Sequence, residues 1–355
     1  MEEKMSFKNL FNTVLNGMAL GIVAGLIANA VLGTLFKYLG TLFLPDVFAI
    51  LTQAVFLLQF AVPPLIGVAI GMQMKFNPME TAVLSAAILA GSGSIVFNKE
   101  LKAYTTTPMG DLFNVLLVSL IAVLIITAVR GKFGSLTIIF LPIVGGALPA
   151  AIGLVTLPYM KQITKFLADI VLTFTTLQPL LMCMLIAMSF SLFIVTPVST
   201  VAMGIILFSN ANHLGAGAAA LGVVSAAAVL MLGSIKAKNP KGVSWAILLG
   251  AIKLMMPNCA RQPLLLVPIM ATAAVTGLAG YFFNILGDQT SAGFGIIGLV
   301  GPVKAYEMAN SGLGAWAFIL ISYVAVPFVV GFVMDKLFSD VLKLYKKEAY
   351  STDSL

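Results

Sequence analysis

The sequence predicts an all-α polytopic membrane protein: one integral membrane domain with about ten transmembrane helices and two re-entrant hairpins. Three observations predict it. Of 355 residues, 60% are apolar and only 9% are Asp, Glu, Lys or Arg, against about 45–50% and about 25% in an ordinary soluble domain. Mean hydropathy is +1.06, and 20 basic and 13 acidic side chains are too few to clothe a 37.3 kDa globule in water. The charge-free runs are as long as a bilayer-crossing helix, which needs about 20 residues for a hydrocarbon core of about 30 Å. A soluble enzyme, a disordered chain and a disulfide scaffold are excluded.

Gaps between charges set the ten segments, in order 9–36, 47–74, 81–98, 112–129, 133–160, 170–195, 198–212, 215–235, 262–287 and 308–334. The run 170–235 is too long for one helix. Thr196-Pro197 and the polar tetrad Asn210-Ala211-Asn212-His213 divide it. Two further stretches carry polar groups that a lipid-facing helix avoids. These are 243–261, with Lys253, Pro257, Asn258 and Arg261, and 288–303, rich in glycine. Irregular backbone at membrane depth survives only where protein or a wet cavity satisfies it, so both read as re-entrant hairpins. The first apolar stretch, between Lys8 and Lys37, is too long for a signal-peptide core, and no cleavage site is expected.

The net charge of +7 is scattered through short loops. No basic stripe exists to neutralise phosphates, so the expected partner is the lipid bilayer and not nucleic acid. Lys4, Lys8, Lys343, Lys346 and Lys347 place both termini in the cytoplasm. The same topology leaves Lys99, Lys102, Lys161 and Lys165 outside, against the positive-inside rule. Cys183 and Cys259 lie among apolar residues and frame neither a disulfide nor a metal pair. No metal or cofactor is expected. In the first helix Gly17, Gly21, Gly25, Asn29 and Gly33 form one stripe, fit either for packing inside the subunit or for a dimer interface.

Enzyme motifs are lacking. Gly293-Phe-Gly295-Ile-Ile-Gly298 matches a dinucleotide fingerprint, but no strand precedes it. Three polar clusters remain as candidates. In Asn210-Ala-Asn212-His213, two carboxamides and the only imidazole suit a hydroxyl-rich or zwitterionic solute, and the imidazole can move a proton. The plain alternative has the asparagines capping a helix and His213 satisfying a carbonyl. In the second cluster Asn258, Arg261 and Gln262 form a hairpin tip that either meets substrate or lets Arg261 pair structurally. The third is Asp288-Gln289-Thr290-Ser291, with Glu307 following. It reads as an opposite cavity wall or as an ordinary polar loop, and His213, Asp288 and Glu307 are the groups available for ion coupling. Asp111 and Asn114 are weaker candidates, fit to cap a helix.

The order Asn212-His213-Leu214-Gly215-Ala216-Gly217, then Pro257-Asn258-Cys-Ala-Arg261-Gln262-Pro263, then Thr290-Ser291-Ala292-Gly293-Phe294-Gly295 resembles the EIIC-type membrane subunits of bacterial sugar phosphotransferase systems. It is most similar to their compact, toxin-regulator-like branch. The resemblance spans 11–334. It implies a homodimer in the bacterial cell membrane, an elevator-like motion, and a sugar held by a histidine, for which His213 stands. It also implies a hairpin glutamate near Asn258, where this chain has neither Glu nor Asp. A scaffold or dimerisation half over about 10–165, a substrate-binding half over about 166–334 and a cytoplasmic tail over 335–355 follow. The expected function is transport of a small polar solute, a sugar or sugar-like metabolite. The sole histidine and both cysteines lie in apolar regions, so any phosphoryl donor is expected to be a separate carrier protein, and the chain alone is not expected to be an enzyme. Two other readings stay open: a non-transporting sensor with the same cavity, and a proton- or ion-coupled carrier.

Overall fold

The computed structural model describes residues 6–208, 212–309 and 313–352. Each of the ten predicted apolar segments carries helix, but seven helices reach crossing length among the described residues. These are α1 (Phe7–Leu42), α2 (Pro45–Gln73), α4 (Leu112–Val129), α5 (Gly134–Phe174), α8 (His213–Lys236), α11 (Pro263–Phe282) and α14 (Gly314–Val341). Between them lie the shorter α3 (Pro78–Gly91), α6 (Pro179–Phe193) and α7 (Thr200–Leu207).

Each short helix has a local cause. Segment 81–98 stops being helical at Gly91, because Gly93 takes φ +75° and the Ser92 hydroxyl donates back to the Leu89 carbonyl at 2.8 Å. The remainder forms an antiparallel hairpin, β1 (Ile95–Asn98) and β2 (Ala103–Thr106), with Ile95 opposite Thr106. Segment 133–160 runs on to Phe174 because Lys161, Lys165 and Asp169 are exposed on a helix that tolerates them. The breaker arrives only before Pro179, which shortens the next helix to 15 residues. Pro197 ends that helix early, and α7 has 8 residues, about 12 Å of rise.

The chain folds as two compact units, the first formed by the residues up to Asn29 with Ile50–Ile163, the second by Ala30–Ala49 with the chain from Thr164. In the first unit the glycine stripe of α1 packs inside the subunit. A Cβ on Gly17 would lie 2.5 Å from Ile70 of α2, and Gly21 and Gly25 meet Ile66 and Val62 in the same way. Asn77 caps α3 in a reciprocal box with Glu80. Buried Glu80 in turn takes the Arg130 guanidinium at 3.1 Å. Asp111 caps α4 through the Asn114 amide nitrogen. Fully buried Asn114 does more than cap. Its side-chain amide donates to the Gly91 carbonyl at 2.6 Å and the Gly153 carbonyl at 2.9 Å, and its oxygen accepts from Thr156 at 2.8 Å. One carboxamide thus ties α3, α4 and α5 together.

The second unit is built around α8, 89% buried over its apolar window. Its runs of Ala and Gly form narrow faces on which neighbours approach to backbone distance. Gly222 meets Ala187 of α6, Gly280 of α11 takes Leu221, and Gly331 of α14 lies against Val229. The two stretches predicted as re-entrant are both broken. The first is α9 (Lys241–Leu249) and α10 (Ile252–Arg261), bent by 119° at Gly250, whose φ is +149°. The second is α12 (Gln289–Phe294) and α13 (Val300–Met308), separated by Gly295 and Gly298 at φ +60° and +59°.

The Asn114 arrangement makes a prediction. Asn114→Ala takes the side-chain donor from the buried Gly91 and Gly153 carbonyls, the second of which keeps Thr156 at 3.2 Å, and is expected to cost about 1–3 kcal/mol for the group left without it. Thermal unfolding in detergent measures it; a melting point unchanged from wild type refutes the staple role.

Candidate functional site

The N-terminal end of α8 gathers two of the three polar clusters. Asn212 is the N-cap, its oxygen accepting the Gly215 N–H at 2.9 Å while its amide nitrogen lies 3.4 Å from the Met182 sulfur. His213 begins the helix with an exposed ring, and its Nδ1 lies 3.1 Å from the Gly287 carbonyl oxygen. A carbonyl only accepts, so Nδ1 is the donor in this pair, and in the neutral imidazole Nε2 is then the acceptor. The backbone returns the bond, Gly287 N–H to the His213 carbonyl at 2.9 Å. Asn210 lies outside the described residues.

Gly287 leads into the third cluster. Asp288 caps α12, its Oδ1 accepting the N–H groups of Thr290 at 3.1 Å and Ser291 at 2.8 Å. The Ser291 hydroxyl receives the Asp288 N–H at 2.7 Å. Gln289 and Thr290 are exposed and Ser291 is buried. Lys304 of α13 reaches Asp288 at 3.4 Å and Glu307 at 3.0 Å, so both carboxylates share one ammonium. On the other side α7 fixes the loop, the Thr200 hydroxyl donating to the Gly293 carbonyl at 2.8 Å. Asn212, His213, Asp288, Gln289, Thr290, Ser291 and Glu307 thus belong to one neighbourhood.

Aromatic residues that carry no polar signature in the sequence extend it. Tyr306 of α13 stacks on Trp316 of α14, with centroids 4.6 Å apart, beside Glu307. Both pack against the buried cluster of Ala220, Leu221 and Ile285. Trp316 is one of only two tryptophans, and a flat indole near polar groups is a signal for ring-bearing solutes. In sequence it sits inside an apolar run and carries no polar signal.

The second cluster lies elsewhere. Buried Asn258 donates to the Ala349 and Ser351 carbonyls at 2.9 and 2.7 Å. Between those residues Tyr350 packs against Gly233, near the C-terminal end of α8. Twenty residues of helix separate that point from His213, about 30 Å. Asn258, Arg261 and Gln262 therefore face the C-terminal segment and not His213. Lys253 serves the backbone. Its buried ammonium donates to the Thr196 and Val198 carbonyls at 2.6 and 3.0 Å, groups that the Pro197 break leaves without helical partners.

The tail predicted over 335–355 is a folded part of this unit. Asp335 accepts from Lys236 at 3.0 Å, Tyr345 at 2.9 Å and Tyr350 at 2.7 Å. Asn239 donates to the Tyr350 carbonyl at 2.7 Å and receives the Thr352 N–H at 3.0 Å. Burial, with the Asp335 charge behind it, pushes both the Tyr345 and Tyr350 phenols well above their ordinary range.

A chain of long apolar helices, interrupted by broken ones that collect its polar groups, defines a multi-pass membrane protein with the architecture of a carrier. It belongs to the phosphotransferase system EIIC family, whose model matches residues 12–352. It is thus a membrane sugar-transport component with a small-molecule substrate and phosphoryl-carrier proteins as partners. No curated protein and no solved structure gives a significant match.

Two outcomes follow for the C-terminal segment. Asp335→Ala removes the acceptor that the Tyr345 and Tyr350 hydroxyls share, while Lys236 keeps Asp340 at 2.8 Å, and losing such a buried partner costs about 1–3 kcal/mol. Limited trypsinolysis is expected to cut at Lys346 and Lys347 far faster in the variant. The raised phenol values stabilise the packed segment fully below the unfolded value of about 10, and that stability is lost as pH climbs above it. A protease-sensitivity profile flat between pH 8 and pH 11 would contradict this.

Proposed function

We propose that the subunit carries a sugar or sugar-like metabolite by alternating access of the elevator kind, with the half from Thr164 onward holding the solute. In this reading His213 Nε2, Asn212, Gln289 and Thr290 exchange hydrogen bonds with its hydroxyls, and the Tyr306–Trp316 pair covers a ring face. The single observation that carries it is the His213–Gly287 pairing. It supports Nδ1 of the only imidazole as donor to the backbone, and in the neutral tautomer this leaves Nε2 as an acceptor on an exposed residue. Carboxamides and an imidazole acceptor match neutral polyhydroxyl solutes, which both donate and accept. Both termini face the cytoplasm, the first unit serves as scaffold, and two copies assemble as a dimer. Phosphorylation, where coupled, is supplied by separate carriers.

One observation favours a second reading, a sensor without flux. The stretch around Asn258 contains no carboxylate, and Asn258 is engaged by the chain's own C-terminal segment.

Uptake of labelled sugars into proteoliposomes tests both. His213→Ala removes one hydrogen bond to solute, worth about 1.4 kcal/mol or more, and is expected to weaken apparent affinity about tenfold. Equal uptake by wild type, His213→Ala and Asn212→Ala would discard the site. Saturable sugar binding without flux would establish the sensor. A phosphorylated product appearing only with added carrier proteins would establish coupling.

A further inference from the structure

The break between α12 and α13 sets left-handed backbone beside an unpaired buried hydroxyl. Gly295, Gly298 and Leu299 take φ of +60°, +59° and +59°. Glycine adopts that region freely, but leucine does so at a cost, and such conformations concentrate in switch regions. Against the break packs a π-helical turn of α14, Ile321–Ala325, whose Tyr323 is 1% exposed. Turns of this kind are rare and frequent at functional sites. Among the described residues the Tyr323 hydroxyl has no hydrogen-bond partner, and neither has that of Ser322 beside it. A buried hydroxyl left unpaired is destabilising, so its retention calls for a reason.

The surroundings of Gly301 supply one. Its N–H donates to the Gly295 carbonyl at 2.8 Å, which holds the start of α13 against the break. A Cβ on Gly301 would collide with that same carbonyl oxygen and lie 2.9 Å from the Tyr323 hydroxyl. Acceptor and idle donor therefore face one small space, open because glycine brings no side chain. The two flanks of the break are held unequally. The Thr200 hydroxyl on the Gly293 carbonyl fixes α12 to α7, and a Cβ on Gly293 would collide with the Val201 backbone. From α13, Lys304 reaches Asp288 only as a partly exposed ion pair, a contact that yields easily.

We propose that the α12–α13 break is a hinge with two positions and that Tyr323 is its latch. In the second position the Gly301 N–H swings out with α13, and the Tyr323 O–H donates to the Gly295 carbonyl in its place. The swing takes Lys304 from Asp288 and Tyr306 from Trp316, and so reshapes one wall of the His213 neighbourhood. The hinge stands whether or not that neighbourhood meets a sugar.

Hydrogen–deuterium exchange of the purified protein in detergent, read on the peptide containing Gly301, tests the hinge without any ligand. Tyr323→Phe removes the latch and keeps the ring that packs in this conformation. Exchange at Gly301 is expected to slow about tenfold, the worth of one hydrogen bond in the second position. Peptides of α6 and α11 are expected to keep their rates, and the melting temperature is expected not to fall. Thr272→Val removes another buried, unpartnered hydroxyl, on α11, and is expected to leave exchange at Gly301 as in wild type. Unchanged or faster exchange at Gly301 in Tyr323→Phe overturns the proposal. Slowing shared equally by α6 and α11, or matched in Thr272→Val, overturns it too, since it marks a general gain in stability. A lower melting temperature in Tyr323→Phe also overturns it, because the hydroxyl would then be bonded in the present conformation.

Discussion

Close packing around α8 is the constraint on which the second unit depends. A helix buried on all sides must be largely apolar, with faces narrow enough for neighbours to touch its backbone. The sequence between His213 and Lys236 meets both demands with alanine and glycine, and α6, α11 and α14 lie directly against it. In lipid, where the hydrophobic effect does not drive helices together, this shape match carries the association. Mid-helix the one polar side chain, Ser225, is turned back onto the Leu221 carbonyl at 2.8 Å, and the other polar groups gather at the two ends. One end carries the imidazole and the turn 287–291, the other the ammonium of Lys236 and the phenols gathered on Asp335.

The breaks follow the same logic as the packing. Each interruption of a helix frees carbonyls and N–H groups that have no water to meet, and each is answered by a particular side chain. Lys253 answers the carbonyls around Pro197, Asn114 that of Gly91, and Asp288 the N–H groups opening α12. Such residues look functional in a sequence because polar groups are rare there. Several of them are structural, and only their partners reveal it.

How much was legible varied with the physical signal behind each element. The apolar runs located the helices well, because hydropathy reports burial in lipid directly. Helix ends were less legible. The charges at Lys161, Lys165 and Asp169 looked like a loop but lie along one continuous helix, since a charged side chain interrupts hydropathy without interrupting hydrogen bonding. The glycine stripe of α1 was readable as an interface, but its partner, α2, was not, because a small-residue face carries no label for what fills it. His213 and Asp288 stood out by rarity, and the structure sets them on adjoining turns. Asn258 stood out equally and lies at the other end of α8. Separation along the chain says nothing about which end of a buried rod a broken hairpin reaches. Trp316 and Tyr306 were hidden by their own hydrophobicity.

The length and tightness of α8 have a mechanical consequence. A hydrogen-bonded helix of 24 residues has a fixed rise, and its flanks leave no slack for bending. Any push delivered by the tyrosine-pinned end would arrive at the imidazole end as travel of the whole shaft. The two polar ends of this unit are thus joined by one span of about 30 Å and not by contact.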